Sequence, residues 1–454
     1  MEHHDAGYLS PGSDIEAIID AAPTPIVRIS PDRQWLLLVH YTSTPPLEML
    51  AQPFERLAGL RIDRNTGTTR RTYNFTRITL RHITEGATHT IELEQGALRF
   101  SSVSWSPTSA HMAYTVLHED GLRLWVLDLS TMESGRLLEG ARVNDTLSGG
   151  MRWMPGGAQL LVTTVPEGRG RAPEPGRVPA APKVQVTRGR EAQNRTYQDL
   201  LEDAHDDRLF AHYTTSQLVR VRVDGEEAIA LGAPAMIDYA APSPDKRYVL
   251  VKTLHEPFSR VVPEYYFAHT IAVRDARDFS LVATIAEQPL AEEVPIQGVR
   301  TGVRGIGWKP LRDATLMWVE ALDGGDPKAE VDHRDKIMTL SAPFAGEAQE
   351  LLRLRERYRG RCSMRGGGAG MGQMLVTEYD RDRRWVTTTL HDFDGAEQRV
   401  FIDRSIRDQY NTPGSPGLSG RPYGTAVVDG DDGHIYMAGA GATPQGDRPF
   451  LDRR

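Results

Sequence analysis

Short apolar runs that meet at proline-centred turns set the pattern of this chain. Ile29-Ser30-Pro31-Asp32-Arg33 leads into Trp35-Leu36-Leu37-Leu38-Val39, and Val103-Ser104-Trp105-Ser106-Pro107 leads into Met112-Ala113-Tyr114-Thr115-Val116. The order returns as Trp153-Met154-Pro155-Gly156-Gly157 before Leu160-Leu161-Val162, and as Ser243-Pro244-Asp245-Lys246 before Tyr248-Val249-Leu250-Val251. A last copy is Gly307-Trp308-Lys309-Pro310 before Leu316-Met317-Trp318-Val319. Proline sets φ for the second position of a type I turn, and Asp, Gly or Lys follow without strain. The β-branched and aromatic flanks suit strands. Each copy therefore predicts a β-hairpin with an apolar inner strand.

The copies recur at roughly 50 to 90 residues with irregular insertions, a spacing that marks propellers or solenoids. Long helical periodicity is nearly absent between them. The chain is expected to be all-β: a β-propeller of four-stranded antiparallel blades, about six to seven of them and an incomplete set. A row of unrelated β-sandwiches is the alternative, and the shared turn chemistry argues against it.

Three segments depart from the pattern. Ser13-Asp14-Ile15-Glu16 has the form of a capping box before Ile18, Ile19 and Ala22, and predicts a short helix ahead of the first blade. Thr196 to Phe210 also reads as helical. From about Glu167 to Arg195, Pro, Gly and Arg dominate, which predicts a long mobile loop whose arginines could meet an acidic partner. Residues 1–24 are thus expected to form a helical segment and residues 25–454 the propeller.

Composition narrows the function. Hydrophobic residues at 39% and charged residues at 25% permit a sizeable core. The net charge of -8 argues against nucleic acid as a main partner. No apolar run reaches membrane-span length. The start, Met1-Glu2-His3-His4-Asp5, lacks a basic and then apolar leader. A soluble protein is expected, cytoplasmic, or periplasmic or secreted if a leader has been removed. Cys362 is the single cysteine, so no intrachain disulfide forms, and it reads as a buried or half-buried thiol.

Catalytic patterns are missing. Ser419 and Ser148 each lack one glycine of a Gly-x-Ser-x-Gly elbow. His255-Glu256 is followed by Pro257, so no His-Glu-x-x-His helix forms. Gly366 to Gly372 fits neither a dinucleotide fingerprint nor a P-loop and reads as a blade connection. Asp323-Gly324-Gly325-Asp326 reads as a turn and not as a calcium loop. Neither a metal nor a cofactor is expected. By its residues alone the chain is a propeller without a recognisable active site.

Several stretches resemble the glutamyl endopeptidase branch of the prolyl oligopeptidase family. They are Asp14 to Pro23, Pro45-Pro46-Leu47 with Leu57 to Asp63, and Thr196 to Leu201 with Ser216-Gln217-Leu218. Further on come Pro289 to Ile296, Asp323-Gly324-Gly325-Asp326 with Arg334-Asp335, and Gly441 to Gly446 with Pro449 to Asp452. The matches run in order along nearly the whole chain.

The resemblance implies an N-terminal propeller that gates a C-terminal α/β-hydrolase domain with a Ser-Asp-His triad, in a peptidase that cleaves after glutamate. The sequence stops at Leu451-Asp452-Arg453-Arg454, where that family still has propeller strands and the hydrolase to come. No triad residue carries over, and the chain is expected to be inactive alone. Its implied partners are a peptide substrate and the missing hydrolase domain. The resemblance further implies that the helix near Ser13 packs on the hydrolase and otherwise exposes its apolar face. An open ring would likewise leave unpaired strand edges.

A substrate glutamate wants an Arg or Lys partner. Arg260 and Arg334 lie in family-like loops and are the candidate substrate-binding residues, with a surface or structural role as the alternative. A second functional reading is a non-enzymatic propeller that binds peptides or proteins, although Trp-Asp and Gly-His signatures are missing. A third, a propeller-based glycosidase or lyase, would need paired carboxylates on inner strands, with Glu320 and Glu378 as candidates.

Overall fold

The computed structural model describes residues 11–176, 197–365, 372–419, 427–428, 430–431 and 434–454. Within them the proline turns close as the sequence predicts. Arg33, Ser109, Gly157 and Lys246 donate their N–H to the carbonyls of Ser30, Ser106, Met154 and Ser243 at 2.9, 3.0, 3.1 and 2.9 Å. These four donors are left-handed, with φ of 63°, 60°, 73° and 66°. A type I turn followed by one left-handed residue matches the twist of the strands it joins. Serine adds a second lock. The Ser30 hydroxyl donates to Asp32 at 2.5 Å and accepts from the Trp35 N–H at 3.0 Å. Ser243 does the same with Asp245 and Tyr248, again at 2.5 and 3.0 Å.

Each turn joins the first two strands of a four-stranded antiparallel blade. Blade 1 is Ile26–Ile29, Trp35–Tyr41, Phe75–His82 and Thr88–Ile91; blade 2 is Ala97–Trp105, His111–His118, Gly121–Asp128 and Glu133–Leu137. The two merge through one pair, Phe75 opposite Phe100. Blade 3 is Met151–Trp153, Gln159–Thr164, Ser216–Arg222 and Ala228–Ala235; blade 4 is Ile237–Pro242, Tyr248–Leu254, His269–Asp275 and Leu281–Gln288. Blade 5 is Arg304–Trp308, Thr315–Ala321, Asp335–Ser341 and Gln349–Leu354; blade 6 is Arg357–Arg365, Gly372–Asp380, Trp385–Asp392 and Glu397–Ser405. A seventh sheet forms around His434–Gly439, which pairs with Ser415–Pro416, Gly430–Asp431 and Phe450–Arg453. The architecture is a β-propeller.

The core lies between blades. Every neighbouring pair, from blades 1 and 2 to blade 6 and the seventh sheet, has its own buried cluster. Among the described residues no such cluster joins the seventh sheet to blade 1. There the first strand of blade 1 leaves Val27 52% and Ile29 58% exposed.

Long connections between second and third strands all leave the same end of their blades, and three of them make a cap. The hairpin Phe54–Leu57 and Leu60–Asp63, the helix Ala204–Thr214 and the loop 255–268 share a core of Leu57, Ala58, Ile62, Phe210 and Phe267. Backbone bonds tie them: the Gly59 N–H donates to the Asp199 carbonyl at 2.8 Å, and the Glu264 N–H to the Ala58 carbonyl at 2.9 Å.

Two local expectations need correction. The first helix spans Ser13–Ile19, but its N-cap is Gly12 and no side chain caps it. Gly12 is the last extended residue, so Ser13 falls inside the helix and its hydroxyl cannot play the cap. Ile15, Ile18 and Ile19 are exposed, Ile18 to 76%. The helix expected from Thr196 spans Ala204–Thr214 instead. Asp199 is left-handed at φ 59°, which stops a helix there, and the Asp203 carboxylate caps the His205 and Asp206 N–H groups at 2.8 and 3.2 Å. Most of the loop predicted over 167–195, namely 177–195, and residues 366–371 of the glycine run lie outside the described residues.

Candidate functional site

The first strands of blades 3 to 6 converge on one cavity of about 510 Å³, which Leu418 also lines. Trp153, Tyr239, Trp308 and Tyr358 give it aromatic walls. The indoles are fixed by the neighbouring blade: Trp153 donates to the Ser104 carbonyl at 3.2 Å, and Trp308 to the Ala241 carbonyl at 2.8 Å.

Among the described residues two arginines line the cavity and no carboxylate does. The Arg152 guanidinium sits 4.9 Å from the centre of the Tyr239 ring. Arg361 donates to the Tyr358 hydroxyl at 3.2 Å and to the Gly305 and Met317 carbonyls at 3.2 and 3.1 Å, all neutral acceptors. Among the described residues neither arginine has an acidic partner. Asp238, on the first strand of blade 4, is already held by Lys252 at 2.7 Å. Cys362 lines the same cavity, half-buried, and burial pushes its thiol up from the usual range. That keeps it largely protonated at neutral pH.

The two arginines predicted from sequence lie in connections between second and third strands, and neither lines the cavity. Arg260 makes a two-pronged ion pair with Asp207 on the cap helix, one contact being 2.5 Å. Arg334 donates to Asp323 at 3.1 Å and lies 3.8 Å from Glu356. It belongs to a buried ion network between blades 5 and 6. There Arg357 reaches both Asp323 and Asp335, and Arg304 reaches Asp335. Burial raises the Asp335 carboxyl from its usual range while Arg304 and Arg357 pull it down.

The carboxylates weighed for a glycosidase are also engaged. Glu320 accepts from the Trp318 indole at 2.8 Å and pairs with Lys336 at 3.1 Å, and Glu378 accepts the Glu356 N–H at 2.9 Å. Neither lines the cavity. Sequence reasoning missed Arg152 and Arg361. Arg152 had a signal: it directly precedes Trp153-Met154-Pro155, so the turn repeat places it on a first strand. Among the described residues no helix is long and apolar enough to cross a membrane.

No protein-family model matches the chain. It is 35% identical over 474 aligned residues to a rice protein, "Probable glutamyl endopeptidase, chloroplastic", covering 98% of this chain and 49% of that one. The Arabidopsis thaliana protein of the same description is 35% identical over 98% of this chain and 48% of its own length. The chain therefore spans about half the length of the curated relatives it matches. Among solved structures, the β-propeller domain of the trilobed protease from Pyrococcus furiosus covers 95% of this chain and 97% of that one, at 12% identity and a TM-score of 0.44.

Proposed function

We propose that this chain, a homologue of the glutamyl endopeptidases of the prolyl oligopeptidase family, is the substrate-gating propeller of a serine peptidase that cleaves after glutamate. One observation carries the reading: the similarity to two such proteins runs through 98% of the chain, with every blade included. The gate works by size and shape. A narrow axial cavity between rigid blades passes an extended peptide and stops a folded domain. The nucleophile, its base and the oxyanion hole have to come from an α/β-hydrolase part, because acyl transfer needs all three together.

In this reading residues 25–454 are the propeller, and residues 1–24 carry a helix that docks on the hydrolase through Ile15, Ile18 and Ile19. Arg260 and Arg334 remain proposed contacts for the substrate glutamate. Each already holds a carboxylate, so substrate would have to displace Asp207 or Asp323. The compartment proposed is aqueous: cytoplasmic, or periplasmic or secreted if a leader has been removed. A non-catalytic peptide-binding propeller is the second reading, favoured by the uncompensated arginines of the cavity.

A fluorogenic peptide with glutamate before the scissile bond tests the proposal. The purified 454-residue chain should give no turnover, and fusing or adding the hydrolase half of a relative should restore it. Turnover by the 454 residues alone, blocked by a serine-directed inhibitor, would contradict it. A fused hydrolase that remains inactive on glutamyl peptides would leave the second reading in its place.

A further inference from the structure

We infer that the axial cavity is a carboxylate-binding subsite, built on Arg152 and Arg361, which holds an acidic group of a peptide inside the propeller. The peptide nature of the ligand rests on the gating reading above; the carboxylate chemistry rests on the cavity alone.

The first strands of blades 5 and 6 carry further arginines, and three of these are engaged elsewhere. Arg304 and Arg357 are neutralised by Asp335 and Asp323. Arg359 stacks on Tyr379, 5.1 Å from its centre, within blade 6. Arg152 and Arg361 differ in combining a place in the cavity wall with the absence of any acidic partner among the described residues. Their environment fixes them without cancelling their charge. Arg152 is held by a ring face, a contact that orients a guanidinium and leaves its edge free to bind. Arg361 gives three of its five N–H donors to a hydroxyl and two carbonyls, which fixes it and leaves donors for a ligand. Two pre-positioned cations in a partly desolvated site attract an anion more strongly than the same groups in water.

Shape agrees with charge. The volume of about 510 Å³ falls within the roughly 300–1,000 Å³ of ordinary ligand sites. The walls are aromatic, which suits the apolar stem of a peptide side chain beneath its charged end. The protein as a whole carries -8, so the positive cavity is a local departure and not a general affinity for anions.

A carboxylate can reach the cavity on a side chain or at a peptide C-terminus, and three fluorescent pentapeptides separate the two. One is capped at both ends with a single internal Glu; one has Gln in its place and a free C-terminus; the third has Gln and both caps. Anisotropy titration of the 454-residue chain at low salt should show at least tenfold tighter binding of the first or the second than of the third. Added salt should weaken it, and the tighter peptide identifies the source. Arg152→Gln should abolish that preference, and among the described residues it breaks no ion pair, since Arg152 rests on the Tyr239 ring. Arg361→Lys, which keeps the charge, should retain part of it. Bound peptide should also slow alkylation of Cys362, the only thiol in the chain. Equal binding of all three peptides, no binding at millimolar peptide, or an unchanged preference in Arg152→Gln overturns the inference. The failures are separable. A propeller that ignores acidic peptides yet supports glutamyl cleavage when joined to a hydrolase defeats this inference alone. One that binds them but supports no cleavage defeats the gating reading alone.

Discussion

The indole nitrogen of Trp308 donates to the main-chain carbonyl of Ala241, 2.8 Å away on the first strand of the preceding blade. Trp153 makes the same bond to Ser104. Both tryptophans stand two residues before a turn proline, and both acceptors stand three before one. Trp105 occupies the matching place in blade 2, yet among the described residues its buried indole N–H has no partner. The junction of blades 1 and 2 is instead closed by Phe75 pairing with Phe100.

Trp308→Phe and Trp105→Phe should therefore differ. Both trim a similar volume, but only the first removes a hydrogen bond between blades, a loss of about 0.5–1.5 kcal/mol. Thermal unfolding should show Trp308→Phe the more destabilised of the two. Equal losses would mean that the indole bond contributes nothing between blades.

Gly157 combines two demands in one turn. Its φ is 73°, and a Cβ there would lie 2.7 Å from the Thr108 hydroxyl of the preceding blade's turn. The left-handed conformation alone costs a side-chain residue roughly 1–2 kcal/mol. Gly157→Ala should lower the melting temperature, and shortening the neighbour in Gly157→Ala/Thr108→Ala should recover the part due to the clash. No recovery would assign the whole loss to backbone conformation.

Asp335 is fully buried and accepts from Arg304, Arg357 and the Tyr358 N–H. Removing one member of a buried ion cluster leaves the others uncompensated, at about 3–5 kcal/mol. Asp335→Ala should lose stability on that scale in denaturant unfolding. Replacing Arg304 by Met in the same protein should return some of it, because one stranded charge is then gone. A near-neutral Asp335→Ala would show that water reaches the cluster and screens it.

These positions show which features could be read in advance. The Ser-Pro-Asp turns were legible because their locks are local: Ser30 reaches Asp32 and Trp35, all within five residues. From the turns followed the hairpins and the propeller. Arg152 was legible in principle through its place before Trp153. Arg361 was not, because the sequence that follows its strand, residues 366–371, is glycine-rich and holds no proline. The cap was invisible too, since Leu57 meets Phe210 and Phe267 only through contacts distant in sequence. The helix near residue 200 was misread because Tyr197 to Glu202 suits a helix by composition, while the left-handed Asp199 prevents it. Arg260 and Arg334 stood out as charged loop residues, and no local pattern disclosed that Asp207 and Asp323 already hold them.

Glu264 offers a stability test on the cap. Its carboxyl is pushed up to about 7 by burial, with the nearby Asp238 adding to the shift and Lys252 opposing it. A raised folded value means that the protein favours the neutral acid. The contribution is complete below the ordinary value near 4.5 and is lost as pH rises through 7. His269, in the same blade, is lowered to about 4, chiefly by burial, so its contribution runs the other way, present above 6.5 and lost as pH falls. The two oppose each other in mildly acidic solution, which hides both in the wild-type profile. Glu264→Gln removes one and leaves the other. The variant should melt close to wild type at pH 5, where Glu264 is largely protonated, and above wild type at pH 8, where the buried carboxylate is charged. A gap of the same size at both pH values would place the Glu264 titration outside the folding equilibrium. A gap that grows with pH would tie the anchoring of the cap, through the Glu264 N–H to Ala58, to the protonation of this one side chain.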